Sequence, residues 1–314
     1  MYTRENYQKI KEMIAARKER AEMLADMRRR ELATRSSEIA AIDRKLRGVG
    51  LEIFRAACSG EDIKPIREKN LALSAKRRDI IRSLGLPEDY DKPDYTCKKC
   101  SDSGFTDDSR ICSCFKEALT VLNIESSGMG KLIEKQSFDT FDLSWYEGQE
   151  RERAELILSV AKRFVKSFGR DTENLLFIGN TGTGKTHIST AIAKEIITRG
   201  FDVLYDSAQN IFSDFETDKF KSGYSPQYES KAEKYLECDL LIIDDLGAEF
   251  VSQFTVSCLY NLINTRKNRG LSTIISTNLS PEELGAKYEG RISSRLMGEY
   301  TVLPFLGKDH RIFS

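Results

Sequence analysis

The chain has 314 residues, 40% hydrophobic and 31% charged, with 49 basic and 49 acidic side chains. That length accommodates two domains with buried cores. No apolar run approaches the ~20 residues that a membrane helix needs. The start, Met1-Tyr2-Thr3-Arg4-Glu5-Asn6, lacks signal-peptide character, so a cytoplasmic protein without a membrane partner is expected.

From Glu5 to about Leu46 the chain has no Pro or Gly and is rich in Lys, Arg, Glu, Ala, Leu and Met, all good helix formers. Ile10, Met13 and Ile14, then Met23, Leu24 and Met27, recur at helical spacing. Gly48 and Gly50 are expected to end this helix, with further helices over 51–58 and 66–84 stopped by Gly85 and Pro87. Residues 1–90 therefore read as a helical domain. They carry 21 Lys and Arg against 15 Asp and Glu, while the remainder carries 28 against 34. The basic excess suits an acidic partner or nucleic acid, and equally a solvated helical surface.

Residues 91–116 hold Cys97, Cys100, Cys112 and Cys114 in a C-x₂-C-x₁₁-C-x-C pattern. Two close thiol pairs suit tetrahedral Zn²⁺; a redox pair or an iron–sulfur cluster is the competing reading. In so small a module a metal would supply much of the folding free energy. The chain has seven cysteines, an odd number that argues against a disulfide framework. Cys58, Cys238 and Cys258 stand apart beside apolar residues and are expected to be buried thiols.

Residues 117–145 read as a connector interrupted by Gly128 and Gly130, with Phe138 and Phe141 expected to pack onto the next domain. Residues 146–314 alternate helix and strand. A helix is expected over 151–168, and strands over 175–178, 202–205, 240–243, 273–276 and 300–303. Helices between strands imply a parallel sheet covered on both faces, an α/β domain.

After the first strand comes Gly179-Asn180-Thr181-Gly182-Thr183-Gly184-Lys185-Thr186, a full G-x-x-x-x-G-K-[ST] phosphate loop. Its glycines let backbone N–H groups wrap phosphates, and the helix that begins there points its positive end at the anion. Lys185 would contact the β- and γ-phosphates and Thr186 would ligate Mg²⁺, so ATP is the expected cofactor. His187, next in the chain, is counted with the nucleotide-contacting residues. Leu240-Leu241-Ile242-Ile243-Asp244-Asp245 is an apolar strand ending in two carboxylates, the Walker B pattern. Asp244 would hold Mg²⁺ and Asp245 would orient or deprotonate the attacking water. Asn278, ending Ser276-Thr277-Asn278, could position that water. Arg291 and Arg295 lie one helical turn apart, and an arginine given to a neighbouring subunit's γ-phosphate stabilises transition-state charge. Arg311, in Gly307-Lys308-Asp309-His310-Arg311, is a further candidate for phosphate contact.

On these residues the chain resembles the DnaC/DnaI-type helicase loaders, a branch of the AAA+ ATPases close to the transposition ATPase IstB. The likeness is strongest over 138–314. It rests on the phosphate loop, on Asp244-Asp245-Leu246-Gly247-Ala248-Glu249, on Ser276-Thr277-Asn278, on Arg291 and Arg295, and on Gly307 to Arg311. The resemblance implies that Asn278 is a sensor 1 residue, Arg295 an arginine finger and Arg311 a sensor 2 arginine. It also implies that the N-terminal domain holds a replicative helicase. The ATPase domain would assemble into an ATP-dependent homo-oligomer and contact single-stranded DNA. A transposition helper acting on duplex DNA, or a slow nucleotide-switched adaptor, are the alternatives. Many AAA+ proteins place Glu where this chain has Asp245, one methylene shorter, which suits slow hydrolysis and a switch.

Overall fold

A computed structural model describes residues 4–59, 62–169, 173–221, 230–307 and 309. Two compact units emerge, Lys9–Phe115 in one and Met1–Gln8 with Lys116–Ser314 in the other.

The first unit is built on three helices, α1 (Arg4–Arg35), α2 (Ser37–Ser59) and α3 (Lys64–Ser83). Leu32, Ile39 and Ile81 are fully buried in a small core against Ile80, Leu86 and Tyr90. Burying each such side chain contributes about 1.5–3 kcal/mol. The Arg77 guanidinium joins α3 to α2 and to the segment beyond, donating to Asp43 Oδ1 at 2.6 Å and Asp91 Oδ2 at 2.6 Å. These two carboxylates hold its proton on more firmly than usual although burial opposes the charge.

The helix boundaries differ from expectation at two places. The long helix breaks at Ser36, whose hydroxyl accepts the Ile39 N–H at 3.3 Å and so starts α2. Gly48 and Gly50 do not end a helix; α2 runs through both. Each costs about 1 kcal/mol relative to Ala, and α2 offsets this by burying Ile42, Val49 and Ala56. Cys58 also departs from its expected burial: it is exposed, whereas Cys238 and Cys258 are buried. Two residues beyond the buried Ala56, it lies about 200° further round the helix, on the outward face.

The second unit contains α4 (Ser113–Ser126, which begins in the first), α5 (Leu132–Lys135), a 3₁₀ turn (Leu143–Trp145) and α6 (Gly148–Ser167). These are followed by β1 (Leu175–Gly179), α7 (Lys185–Thr198), β2 (Val203–Ser207), α8 (Ala208–Lys221), α9 (Glu233–Glu237), β3 (Leu240–Leu246), α10 (Gln253–Asn268), β4 (Ser272–Thr277), α11 (Pro281–Glu299) and β5 (Thr301–Phe305). All five expected strands form one parallel sheet in the order β2-β3-β4-β1-β5.

Alternation along the strands builds a core on each face. Leu175, Phe177, Leu240, Ile242, Ile274 and Leu303 pack with α6 and α7 through Ile157, Phe164, Ile188, Ile192 and Ile196. Leu176, Leu241, Ile243 and Ile275 pack on the other side against Ile211, Leu259, Leu262, Tyr288 and Leu296 of α8, α10 and α11. The connector's Phe141 is buried in the first core with Phe138 against it, as the sequence predicts. Because β1 lies beside β4 and β4 beside β3, the carboxyl ends of these three inner strands open together at one end of the sheet. This is where parallel α/β sheets take up ligands.

Candidate functional site

The phosphate loop leaves β1 and enters α7 through Gly184, whose φ of 94° is a left-handed conformation that favours glycine. A Cβ there would come within 2.8 Å of the Tyr146 hydroxyl. At Gly179 a Cβ would lie 2.2 Å from the backbone oxygen of Phe305, so close passage of β5 requires glycine as well. Inside the loop, Thr183 Oγ1 donates to the Asn180 carbonyl at 2.8 Å, and the Tyr146 hydroxyl donates to the Thr183 carbonyl at 3.1 Å. Asn180 and Thr183 thus shape the loop through contacts of their own.

Lys185 is the hub. Its ammonium donates to the carbonyls of Gly179 (2.6 Å) and Asn180 (2.8 Å) and to Asn278 Oδ1 (2.6 Å). The Asn278 amide in turn donates to Asp245 Oδ1 at 3.4 Å. Side chains far apart in sequence therefore meet at the ends of three neighbouring strands. Asp245 has a φ of 52°, a left-handed turn that throws its exposed carboxylate out of the strand line. The loop after it is fixed by Glu249, buried, which accepts the Gly247 N–H at 2.9 Å and the Tyr288 hydroxyl.

These groups border a cleft of about 690 Å³. Thr181, Gly182, Gly184, Lys185, Thr186, His187, Asp245 and Asn278 line it. Gln136, Thr140, Phe141, Asp142, Trp145 and Tyr146 line it too, a wall that the sequence reading did not assign to the site. His187 braces that wall: its Nε2 lies 2.9 Å from the Ser137 carbonyl and 3.2 Å from Thr140 Oγ1, and its ring meets Phe141 edge-on.

Asp244 stands behind the lining. Its two oxygens accept hydroxyl donors, one from Tyr205 and one from Ser276. Tyr205 also escaped the sequence reading, although it lies on the strand next to the Walker B strand. Burial first, then the Asp244 carboxylate, keeps the phenol proton on well above the ordinary tyrosine range, while a hydrogen bond from Thr186 opposes this.

Arg291 and Arg295 are not among the residues lining the cleft. Both lie on α11; Arg291 borders a separate hollow with Ser257, Tyr260 and Asn261, and the Arg295 guanidinium lies 4.7 Å from the Tyr260 ring centroid. Arg311 lies outside the described residues.

In the other unit, the four cysteine sulfurs all lie within 4.8 Å of one another. Cys97 and Cys112 are 3.8 Å apart and Cys100 and Cys114 3.5 Å. A tetrahedral metal with metal–sulfur bonds of about 2.3 Å has edges of about 3.8 Å, so this donor set fits a four-thiolate metal site. The turn after the first pair takes left-handed φ values at Ser101 and Asp102. Asp102, fully buried, fixes it by accepting the Thr96 and Cys97 N–H groups at 2.8 and 2.9 Å and pairing with Arg17 at 3.1 Å.

Residues 122–294 match the model of a family described as IstB-like ATP binding protein. The replicative helicase loader DnaC of Escherichia coli strain K12 is 28% identical over 170 residues, 54% of this chain and 66% of that protein, just short of two-thirds of its length. A putative ATP-binding protein of insertion sequence IS232 from Bacillus thuringiensis subsp. berliner is 26% identical over 193 residues, 59% of this chain and 71% of that one. A crystal structure of the DnaC helicase loader aligns at 23% identity with a TM-score of 0.49, covering 56% of this chain and 100% of that one. For a DnaI structure the values are 22%, 0.44, 59% and 95%.

Proposed function

Since the chain belongs to the IstB-like ATP binding protein family, we propose that it is an ATPase that delivers a replicative DNA helicase onto single-stranded DNA at the initiation of replication. The observation that carries the ATPase part is the Lys185–Asn278–Asp245 series at the edge of the cleft. In this reading the loop 179–186 and Lys185 hold the triphosphate. Thr186 and Asp244 hold Mg²⁺, which supplies charge neutralisation at the phosphates when bound. Asp245 and Asn278 orient the attacking water. Arg295, with Arg291 beside it and outside the lining, serves a neighbouring subunit's nucleotide, which makes assembly ATP-dependent. Arg311 is assigned a phosphate contact.

In the proposed division of the chain, residues 1–90 bind the helicase, 91–116 form a structural zinc module, 117–145 connect, and 146–314 form the AAA+ ATPase. The four sulfurs, all within 4.8 Å of one another, support a single bound zinc, structural rather than catalytic because four thiolates leave no open position. No described helix is long and apolar enough to cross a membrane, and a cytoplasmic setting goes with replication. The loader reading draws its support from the DnaC relative, and the IS232 relative is the observation that favours a transposition helper instead.

The test uses the full chain with the replicative helicase of the same host, sized with and without ATP, and with labelled single- and double-stranded DNA. Capture of the helicase with an ATP-dependent large assembly supports the loader. Duplex preference without helicase capture favours the transposition helper. ATP binding without turnover, with or without DNA, leaves the adaptor.

A further inference from the structure

One of the two side chains assigned to Mg²⁺ is held by a phenol. The Tyr205 phenol donates to one oxygen of Asp244, and Thr186 lies near enough to the phenol to loosen its proton. Asp244 comes from β3 and Tyr205 from the neighbouring β2, so the phenol ties the carboxylate to the edge strand.

Tyr205 is itself held firmly. β2 is the edge strand of the sheet, paired with β3 in a register that sets Tyr205 opposite Ile242 and Ser207 opposite Asp244. Side chains alternate along a strand, which puts Tyr205 on the same face as Ser207 and next to the Asp244 row. The free side of the edge is closed by the connector: the Tyr205 N–H donates to the Ser127 carbonyl at 2.7 Å. Gly128, at a φ of 82°, passes so closely that a Cβ would stand 2.3 Å from the Tyr205 carbonyl oxygen. The backbone of Tyr205 is therefore gripped from both sides.

We propose that Tyr205 is a positioning residue of the metal site, its hydroxyl fixing the Asp244 carboxylate and so setting how strongly bound nucleotide recruits Mg²⁺. The inference rests on the reading of Thr186 and Asp244 as the magnesium-binding pair. A carboxylate oxygen that accepts one hydroxyl retains a lone pair for a cation or its water, so the phenol orients Asp244 without using it up. Partners of this kind behind a metal ligand change metal affinity about 10–100-fold when removed. Ser276 grips the other Asp244 oxygen, so the two hydroxyls are separable.

The test is Tyr205→Phe, which deletes one oxygen and keeps the ring in its packing. A fluorescent N-methylanthraniloyl ATP is titrated into the full chain in EDTA and then across a Mg²⁺ series. The expected result is unchanged affinity in EDTA and a Mg²⁺ midpoint raised about tenfold. Gly128→Ala, which must shift the Tyr205 carbonyl without touching the cleft, raises the midpoint in the same direction. Superimposable Mg²⁺ curves for wild type and Tyr205→Phe would overturn the proposal. So would an equal loss of affinity in EDTA, which would make the phenol a cleft-shaping group only. A wild-type chain that binds no nucleotide under any condition would instead remove the ATP-site reading beneath it.

Discussion

The ammonium of Lys185 lies 2.6 Å from Oδ1 of Asn278, joining the phosphate loop to the end of β4. Before any nucleotide arrives, the lysine is already directed by three oxygens, two from its own loop and one from Asn278. A γ-phosphate must compete for this ammonium. Asn278 would then keep only its contact to Asp245, ready to orient a water between them.

That relationship separates two substitutions. Lys185→Ala removes the cation and abolishes nucleotide binding. Asn278→Ala leaves the phosphate loop intact, so nucleotide affinity stays within a few-fold while turnover falls about 10²-fold, the scale of one lost polar contact to the reacting centre. Equilibrium binding measured beside steady-state hydrolysis checks this. Parallel loss of both quantities in Asn278→Ala would show that the asparagine merely supports the loop.

The features legible in the sequence are contiguous ones. The phosphate loop, the strand ending in Asp244-Asp245 and the cysteine spacing carry their chemistry within a few residues, and all five strands are short, largely apolar runs. The hidden features are assembled by topology. Tyr205 acquires its role because β2 pairs with β3, and Gln136 and Trp145 acquire theirs because the connector folds back to face the loop. The glycines of α2 mislead because punctuation by Gly is local, whereas the burial of Val49 beside them is tertiary.

Trp145 offers a direct probe of the cleft. It is the chain's one tryptophan, it is 41% exposed, and it lines the same cleft as the phosphate loop. Adding ATP with Mg²⁺ changes its emission saturably, and Lys185→Ala abolishes the change. Saturable binding by calorimetry with silent tryptophan emission would mean that the nucleotide lies elsewhere.

Arg295 lies outside the lining of its own cleft. Its guanidinium lies over Tyr260, and its Nε is buried without a hydrogen-bond partner among the described residues. Arg295→Ala leaves nucleotide affinity of the dilute chain unchanged and lowers turnover in the assembled state about 10³-fold. Hydrolysis followed against protein concentration decides it. A variant as active per chain as wild type at every concentration would remove the arginine from catalysis.

The cysteine module is expected to hold one Zn²⁺ per chain, measured by elemental analysis. Asp102→Ala deletes the acceptor of two turn N–H groups and the partner of Arg17. Zinc affinity falls about 10–100-fold in a chelator competition. Full-affinity zinc binding by this variant would show that the sulfurs hold the turn unaided.

Asp202, at the start of β2, gives a pH signature of stability. Burial pushes its carboxyl up to about 6, with Arg266 opposing the shift. The unfolded value is near 3.9, so the folded state binds the proton more tightly. Stability from this group is therefore full below pH ~4 and declines between ~4 and ~6. Above that it is lost, by roughly 2–3 kcal/mol for a shift of about two units. Asp202→Asn removes the ionisation and keeps the shape. Urea denaturation at pH 5 and pH 7.5 should give a smaller loss of stability on raising the pH in the variant than in wild type. Equal losses in both proteins would place the pH dependence in other groups.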